Sequence, residues 1–104
     1  MIYVIATIDI AEGMRDEFVK AFRANVPNVL AEQGCIEYEP TVDLDTTITV
    51  QPAVRTNVVT IVEKWESLDA LKAHLVAPHM VSYREGVKHL VKGASIQVLE
   101  PALA

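Results

Sequence analysis

The side chains with chemistry to offer sit mostly in the second half of the chain, in "EKWESLDALKAHLVAPHMVSYREGVKHL", residues 63 to 90. His74 falls three residues after Leu71 and next to Leu75, at the margin of an apolar helical stripe. An imidazole there is either a satisfied rim residue or a general base, since its ordinary pKa lies near neutrality. His79 follows Pro78, with Tyr83 one helical turn further on. A break at Pro78 would open a gap over a sheet, and His74, His79, Met80 and Tyr83 would wall a pocket in it. His89, near the end of the same helix, is expected to be solvated. Glu63 alternates with Ile61 and Trp65 on one face of a strand. If that face is covered, desolvation raises the carboxyl pKa; the alternative is a strand-end glutamate paired with Arg84 or Lys64. Trp65 and Tyr38 are core aromatics by type, and they can also stack a flat ring.

The segments that position these groups follow from periodicity. "MIYVIATIDI" is rich in β-branched residues and reads as a first strand over residues 2 to 10. Met14, Phe18, Ala21, Phe22, Val26, Val29 and Leu30 recur at three and four, so a helix is expected from about 14 to 32, kinked at Pro27 and stopped by Gly34. "CIEYEPTV" is a second strand, with Pro40 at an edge or a bend. Residues 43 to 56 give the weakest signal, and "TITV" within them has the composition of a short extra strand. "NVVTIVEKW", residues 57 to 65, is the third strand. Ser67 caps the next helix, and Pro78 opens a second helical piece expected from about 78 to 91, ending near Gly93. "ASIQVLE" is the last strand.

Strand, helix, strand, strand, helix, strand is the order of an α+β, ferredoxin-like antiparallel sheet with both helical segments on one face. The other face is then bare, although Ile2 to Ile10 and Val58 to Val62 place apolar side chains on it. Half a dozen such residues are worth about 10 kcal/mol on burial, before the costs of association. The expected cover is a second copy, sheet against sheet; a monomer with residues 43 to 56 folded over the sheet is the alternative.

Composition narrows the classes further. The chain of 104 residues is read as one domain, 51% hydrophobic and 22% charged, with a net charge of −5. Its nine basic residues are scattered, so nucleic acid is not an expected partner. There is no apolar run of membrane-spanning length and no signal-peptide pattern, and a cytoplasmic protein is expected. The lone cysteine, Cys35, reads as a small buried hydrophobe at a strand start. The sequence contains no GxGxxG, Walker, HExxH or GxSxG motif, and the histidines lack the spacing of a metal site.

"VPNVLAEQGCIEYEPTVD", "EKWESLDALKAHLVAPHM" and "IQVLEPA" resemble the bacterial quinol monooxygenases of the antibiotic biosynthesis monooxygenase superfamily, over essentially the whole chain. The block "EKWES…LKAHL…PHM" is the most specific part. The resemblance implies a ferredoxin-like homodimer, paired as a dimeric α/β barrel. It also implies oxidation of a hydroquinone or polycyclic phenol to a quinone by O₂, without flavin, haem or metal. It puts the pocket between sheet and helices, with Glu63 and Trp65 on its floor and His74, His79, Met80 and Tyr83 on its wall. Haem-degrading relatives use an Asn on strand one and a His on the second helix. Here strand one reads "VIATI", and the helical position falls near Arg84, so haem degradation is disfavoured.

Without a cofactor, the electrons for O₂ come from the substrate, which therefore needs a base at its hydroxyl and a dry aromatic pocket. His74 is the expected base, with His79 or Tyr83 on a ring oxygen, Trp65 against the ring and Glu63 orienting a histidine. Tyr38, Met80 and Arg84 complete the expected substrate site. The competing expectation is a non-catalytic dimeric module that binds a quinone or another small aromatic.

Overall fold

The computed structural model describes residues 1–103. The chain runs β1 (Ile2–Ile10), α1 (Arg15–Leu30), β2 (Cys35–Thr41), β3 (Val58–Trp65), α2 (Leu68–Leu75), α3 (Pro78–Val87) and β4 (Val91–Leu99). The four strands form one antiparallel sheet in the order β2-β3-β1-β4, the ferredoxin-like α+β arrangement.

Register decides which side chains meet the helices. Val4 lies opposite Glu63 and Ala6 opposite Ile61, so the alternating set Val4, Ala6, Ile8 and Ile10 shares a face with Val59, Ile61, Glu63 and Trp65. Of this set only Ile8 is less than fully buried, and Phe18, Phe22 and Val29 of α1 close over it with Leu71, Met80 and Val87. The opposite face carries Tyr3, Ile5, Val58, Thr60 and Val62. The helices rest mainly on β2 and β3. On β4, Ile96 and Val98 consequently stay 47% and 45% exposed, although they point to the helical side.

Local signals account for the element boundaries. The Ser67 hydroxyl accepts from the Ala70 N–H at 3.1 Å, closing the first turn of α2. Pro78 is the first residue of α3, where its missing N–H leaves no bond unmade. Gly34 turns the chain into β2 at φ +85°, a conformation that a Cβ resists. Several bounds differ from the sequence expectation. The first helix spans Arg15–Leu30, shorter at both ends than 14 to 32, and Pro27 lies inside it. The third ends at Val87 instead of about 91, and β4 starts at Val91, with Gly93 paired opposite Asp9 within the ladder. "TITV", residues 47 to 50, is a bend and turn and not a strand. Its loop is tied by the Arg55 guanidinium, which donates to Asp43 at 2.9 Å and holds that carboxyl well below the usual range, and by Gln51 Nε2 donating to the Leu44 carbonyl at 2.6 Å.

Candidate functional site

A cavity of about 370 Å³ opens between the sheet and the helices α1 to α3, within the usual range for small-molecule sites. Ala6, Ile8, Ile61 and Glu63 form its floor, continued by Tyr38 on β2 and Ala94 and Ile96 on β4. Phe22, Met80 and Tyr83 wall one part of it, and His74 and Leu75 another; Arg84 and Lys88 stand at its helical rim. The aromatic wall is interlocked. Phe22 stacks on Tyr38 with ring centroids 5.0 Å apart and meets the Tyr83 ring edge-on at 5.7 Å. Burial pushes both phenols, Tyr38 and Tyr83, up, so both stay protonated hydrogen-bonding groups at neutral pH. The Arg84 guanidinium donates to the Leu75 carbonyl at 2.8 Å, bridging the break between α2 and α3.

His74 is 2% exposed. Its ring lies 4.6 Å from the Trp65 ring and meets the Tyr38 ring edge-on at 5.3 Å. Its Nδ1 is 2.9 Å from Oε2 of Glu32, and His79 Nε2 is 2.7 Å from the same oxygen. Burial pulls the His74 pKa down, while the bond to Glu32 and the charge on its carboxylate oppose that fall. Among the described residues, no group of three or more His, Cys, Asp or Glu is arranged to hold a metal ion.

Glu63 is 6% exposed and accepts a hydrogen bond from Trp65 Nε1 at 2.9 Å. Desolvation pushes its carboxyl up from 4.5 to about 7, against the lowering effect of the Trp65 bond, with Glu32 adding to the rise. This sets the sign of a stability effect. A carboxyl raised on folding contributes its stability in full below the unfolded pKa, and loses it as pH rises through the folded value. Glu63→Gln keeps an acceptor for Trp65 and removes the charge. It is expected to add about 3 kcal/mol of stability at pH 8, shrinking toward nothing near pH 4.5, as read by urea unfolding at both. An equal gain at the two pH values would show that Glu63 does not titrate in this range.

The sequence expectation of one covered strand face is met, and His74, Glu63, Tyr38, Met80, Tyr83 and Arg84 all border the cavity. Trp65 is placed differently. It is fully buried behind the floor, where it packs on His74 and holds Glu63 without lining the cavity. His79 also lies off the cavity, on a groove between α1 and α3 beyond Glu32. Of the two alternatives for Glu63, the buried carboxyl with a raised pKa is the one found, bonded to Trp65 and not to Arg84 or Lys64; Glu63 orients no histidine, because Glu32 occupies that position. Sequence reasoning missed Glu32. Its one local signal is an acid just past a helix C-terminus, where the macrodipole disfavours negative charge. His89 is exposed, 4.0 Å from Glu17. Cys35 is half-buried at the start of β2, and burial with the nearby Glu32 and Glu63 charges pushes its thiol up to about 11, so it is not a thiolate.

The model of the family "Antibiotic biosynthesis monooxygenase" matches residues 1–86. The chain belongs to that family. The antibiotic biosynthesis monooxygenase fold is equally plain in relatives. Escherichia coli YgiN, named a probable quinol monooxygenase, is 38% identical over 105 residues, covering 99% of this chain and 100% of YgiN. Among solved structures, PA3566 of Pseudomonas aeruginosa superposes with a TM-score of 0.79 at 24% identity, over 98% of this chain and 94% of that one. SO0527 of Shewanella oneidensis does so with a TM-score of 0.78 at 25% identity, over 94% and 87%. The antibiotic biosynthesis monooxygenase match reaches from β1 into α3 and so takes in every cavity residue except those of the last turn and β4.

Proposed function

We propose that this chain is a cofactor-independent quinol monooxygenase, oxidising a hydroquinone or a related phenol to the quinone with O₂. The observation that carries the reading is a buried imidazole, His74, on the wall of a cavity otherwise lined almost entirely by apolar and aromatic side chains. The printed name of YgiN, a full-length relative, points the same way. For a hydroquinone the balance is two electrons and two protons given to O₂, leaving the quinone and H₂O₂. For a phenol with an open para position, one oxygen atom enters the ring and the other leaves as water. In both, removal of the phenolic proton turns the substrate into a reductant, and His74 is the group we assign to take it. Tyr83 and Glu63 are the hydrogen-bonding groups for the remaining ring oxygen, and Phe22 and Tyr38, stacked on each other, give the ring an aromatic wall.

The test is product formation. A reduced naphthoquinone such as menadiol, mixed with protein in air, is expected to yield quinone faster than its autoxidation, in a saturable manner. Saturable binding without acceleration would identify a carrier of quinones instead.

We further propose that the chain works as a homodimer joined through the face opposite the helices. Tyr3 and Leu99 are exposed there and Ile5 and Val62 only half-buried, a spread of apolar surface that water does not favour. Light scattering at micromolar concentration is expected to give twice the 11.5 kDa chain mass, and Val62→Asp the single-chain mass. A wild-type protein at the single-chain mass would overturn the dimer.

A further inference from the structure

We propose that Glu32 is the positioning residue of this site: its carboxylate, shared by two imidazoles, fixes His74 in the tautomer whose Nε2 is bare, and His79 acts through Glu32 without touching substrate. The proposal deepens the reading of His74 as the base and rests on it.

Three helix ends meet at one oxygen. Glu32 follows the last turn of α1, its N–H bonded to the Val29 carbonyl at 2.9 Å; His74 is in the last turn of α2; and His79 is in the first turn of α3. Exposure rises along the row, with the His74 side chain at 2%, Glu32 at 13% and His79 at 28%. An ionised carboxylate can only accept, so each ring nitrogen within hydrogen-bond distance of Oε2 carries its proton. For His74 that nitrogen is Nδ1. In the neutral ring, Nε2 is then the unprotonated nitrogen, which is the form a base requires. Without the carboxylate, an imidazole is free to put its proton on Nε2 and become a donor. His79 contributes a second donor to the same oxygen, which holds the carboxylate in place against the adjoining His74 ring.

When His74 takes a proton from substrate, a buried imidazolium forms, and Glu32 supplies its counter-charge. The other groups around His74 are Tyr38 on β2, Trp65 and Glu63 on β3, and His79 and Arg84 on α3. Trp65 is neutral, Tyr38 stays protonated, and Arg84 and a charged His79 both disfavour the imidazolium. Removing the Glu32 charge therefore shifts the acid limb of kcat/KM to lower pH while the plateau drops, because the base weakens.

The decisive measurement needs no substrate. Nitrogen-15 NMR of the histidine rings in wild-type protein at neutral pH is expected to show His74 protonated at Nδ1 and bare at Nε2; in Glu32→Ala, which removes the acceptor, the ring should shift toward the Nε2-protonated form. Turnover of menadiol by Glu32→Gln is expected to fall about 10- to 100-fold in kcat with KM changed less than about threefold. His79→Ala should lose about three- to tenfold, and His79→Gln, which keeps a side-chain N–H donor, should recover most of that. An Nε2-protonated His74 in wild type, or an unchanged tautomer in Glu32→Ala shown to be folded by circular dichroism, would overturn the proposal. If menadiol is not turned over at all, the quinol reading fails, and the NMR result still decides the role of Glu32.

Discussion

His74→Ala is expected to lower turnover of a reduced naphthoquinone by about 100-fold or more, the usual contribution of a positioned general base. The neutral quinol is a poor one-electron donor and its anion a good one, so rate follows the fraction of substrate deprotonated in the pocket. Among the other ionisable groups at the cavity, Tyr38 and Tyr83 hold their protons, Arg84 and Lys88 stand at the rim, and Glu63, raised to about 7, is the one competing base, which the same assay on Glu63→Gln tests. The loss should appear in kcat more than in KM, since Phe22, Tyr38, Met80 and Tyr83, the proposed contacts of the ring, stay in place. Because His74 also packs on Trp65, circular dichroism is needed to confirm that the variant is folded. Added imidazole is expected to restore part of the rate by entering the space left by the ring. Turnover equal to wild type would remove His74 from the chemistry.

Gly34→Val is expected to destabilise the fold by about 3 kcal/mol or more. Two independent costs fall on one position. Gly34 has φ +85°, and forcing an L side chain into that region costs roughly 1–2 kcal/mol, more for a β-branched one. A Cβ at Gly34 would also lie 2.6 Å from the Ala70 Cβ on α2, a contact that must be relieved by moving the backbone of one element, at roughly 1–3 kcal/mol. For a domain of this size the sum corresponds to a fall in Tm of about 15 °C or more. The substitution reaches the site as well, since Gly34 is two residues from Glu32 and its carbonyl accepts from Glu66 N–H at 2.8 Å. Gly13 provides the contrast, because it too has a positive φ but a Cβ there would meet nothing within 4 Å. Gly13→Val should therefore cost only the conformational part. Equal losses at Gly13 and Gly34 would mean that the approach of Ala70 does not matter.

The alternation of "NVVTIVEKW" is enough to place Glu63 on a covered face, because register in a sheet with one buried side admits no slip. Ser67 and Pro78 are equally legible, since a cap and a first-turn proline act through neighbours within one turn. What escapes the sequence is non-local. Gly93 reads as a helix stop, yet it continues a strand because Asp9 lies opposite it in β1. Trp65 and Glu63 share a face at i and i+2, and only the packing of α2 decides that the carboxyl meets the cavity while the indole lies behind it. Glu32 is 42 residues from His74 and 47 from His79, so nothing in its own neighbourhood announces that both rings converge on it. The histidines therefore read as a pair from the sequence, but one that places His79 in the cavity when its partner is the carboxylate.

The most direct test of the central claim is oxygen uptake. Anaerobic menadiol and protein, mixed with air-saturated buffer containing a metal chelator, should consume O₂ at an initial rate that saturates with menadiol and exceeds the protein-free rate. The quinone formed should match the O₂ consumed one for one. A rate indistinguishable from autoxidation at every menadiol concentration, with the protein folded and the quinol bound, would contradict it.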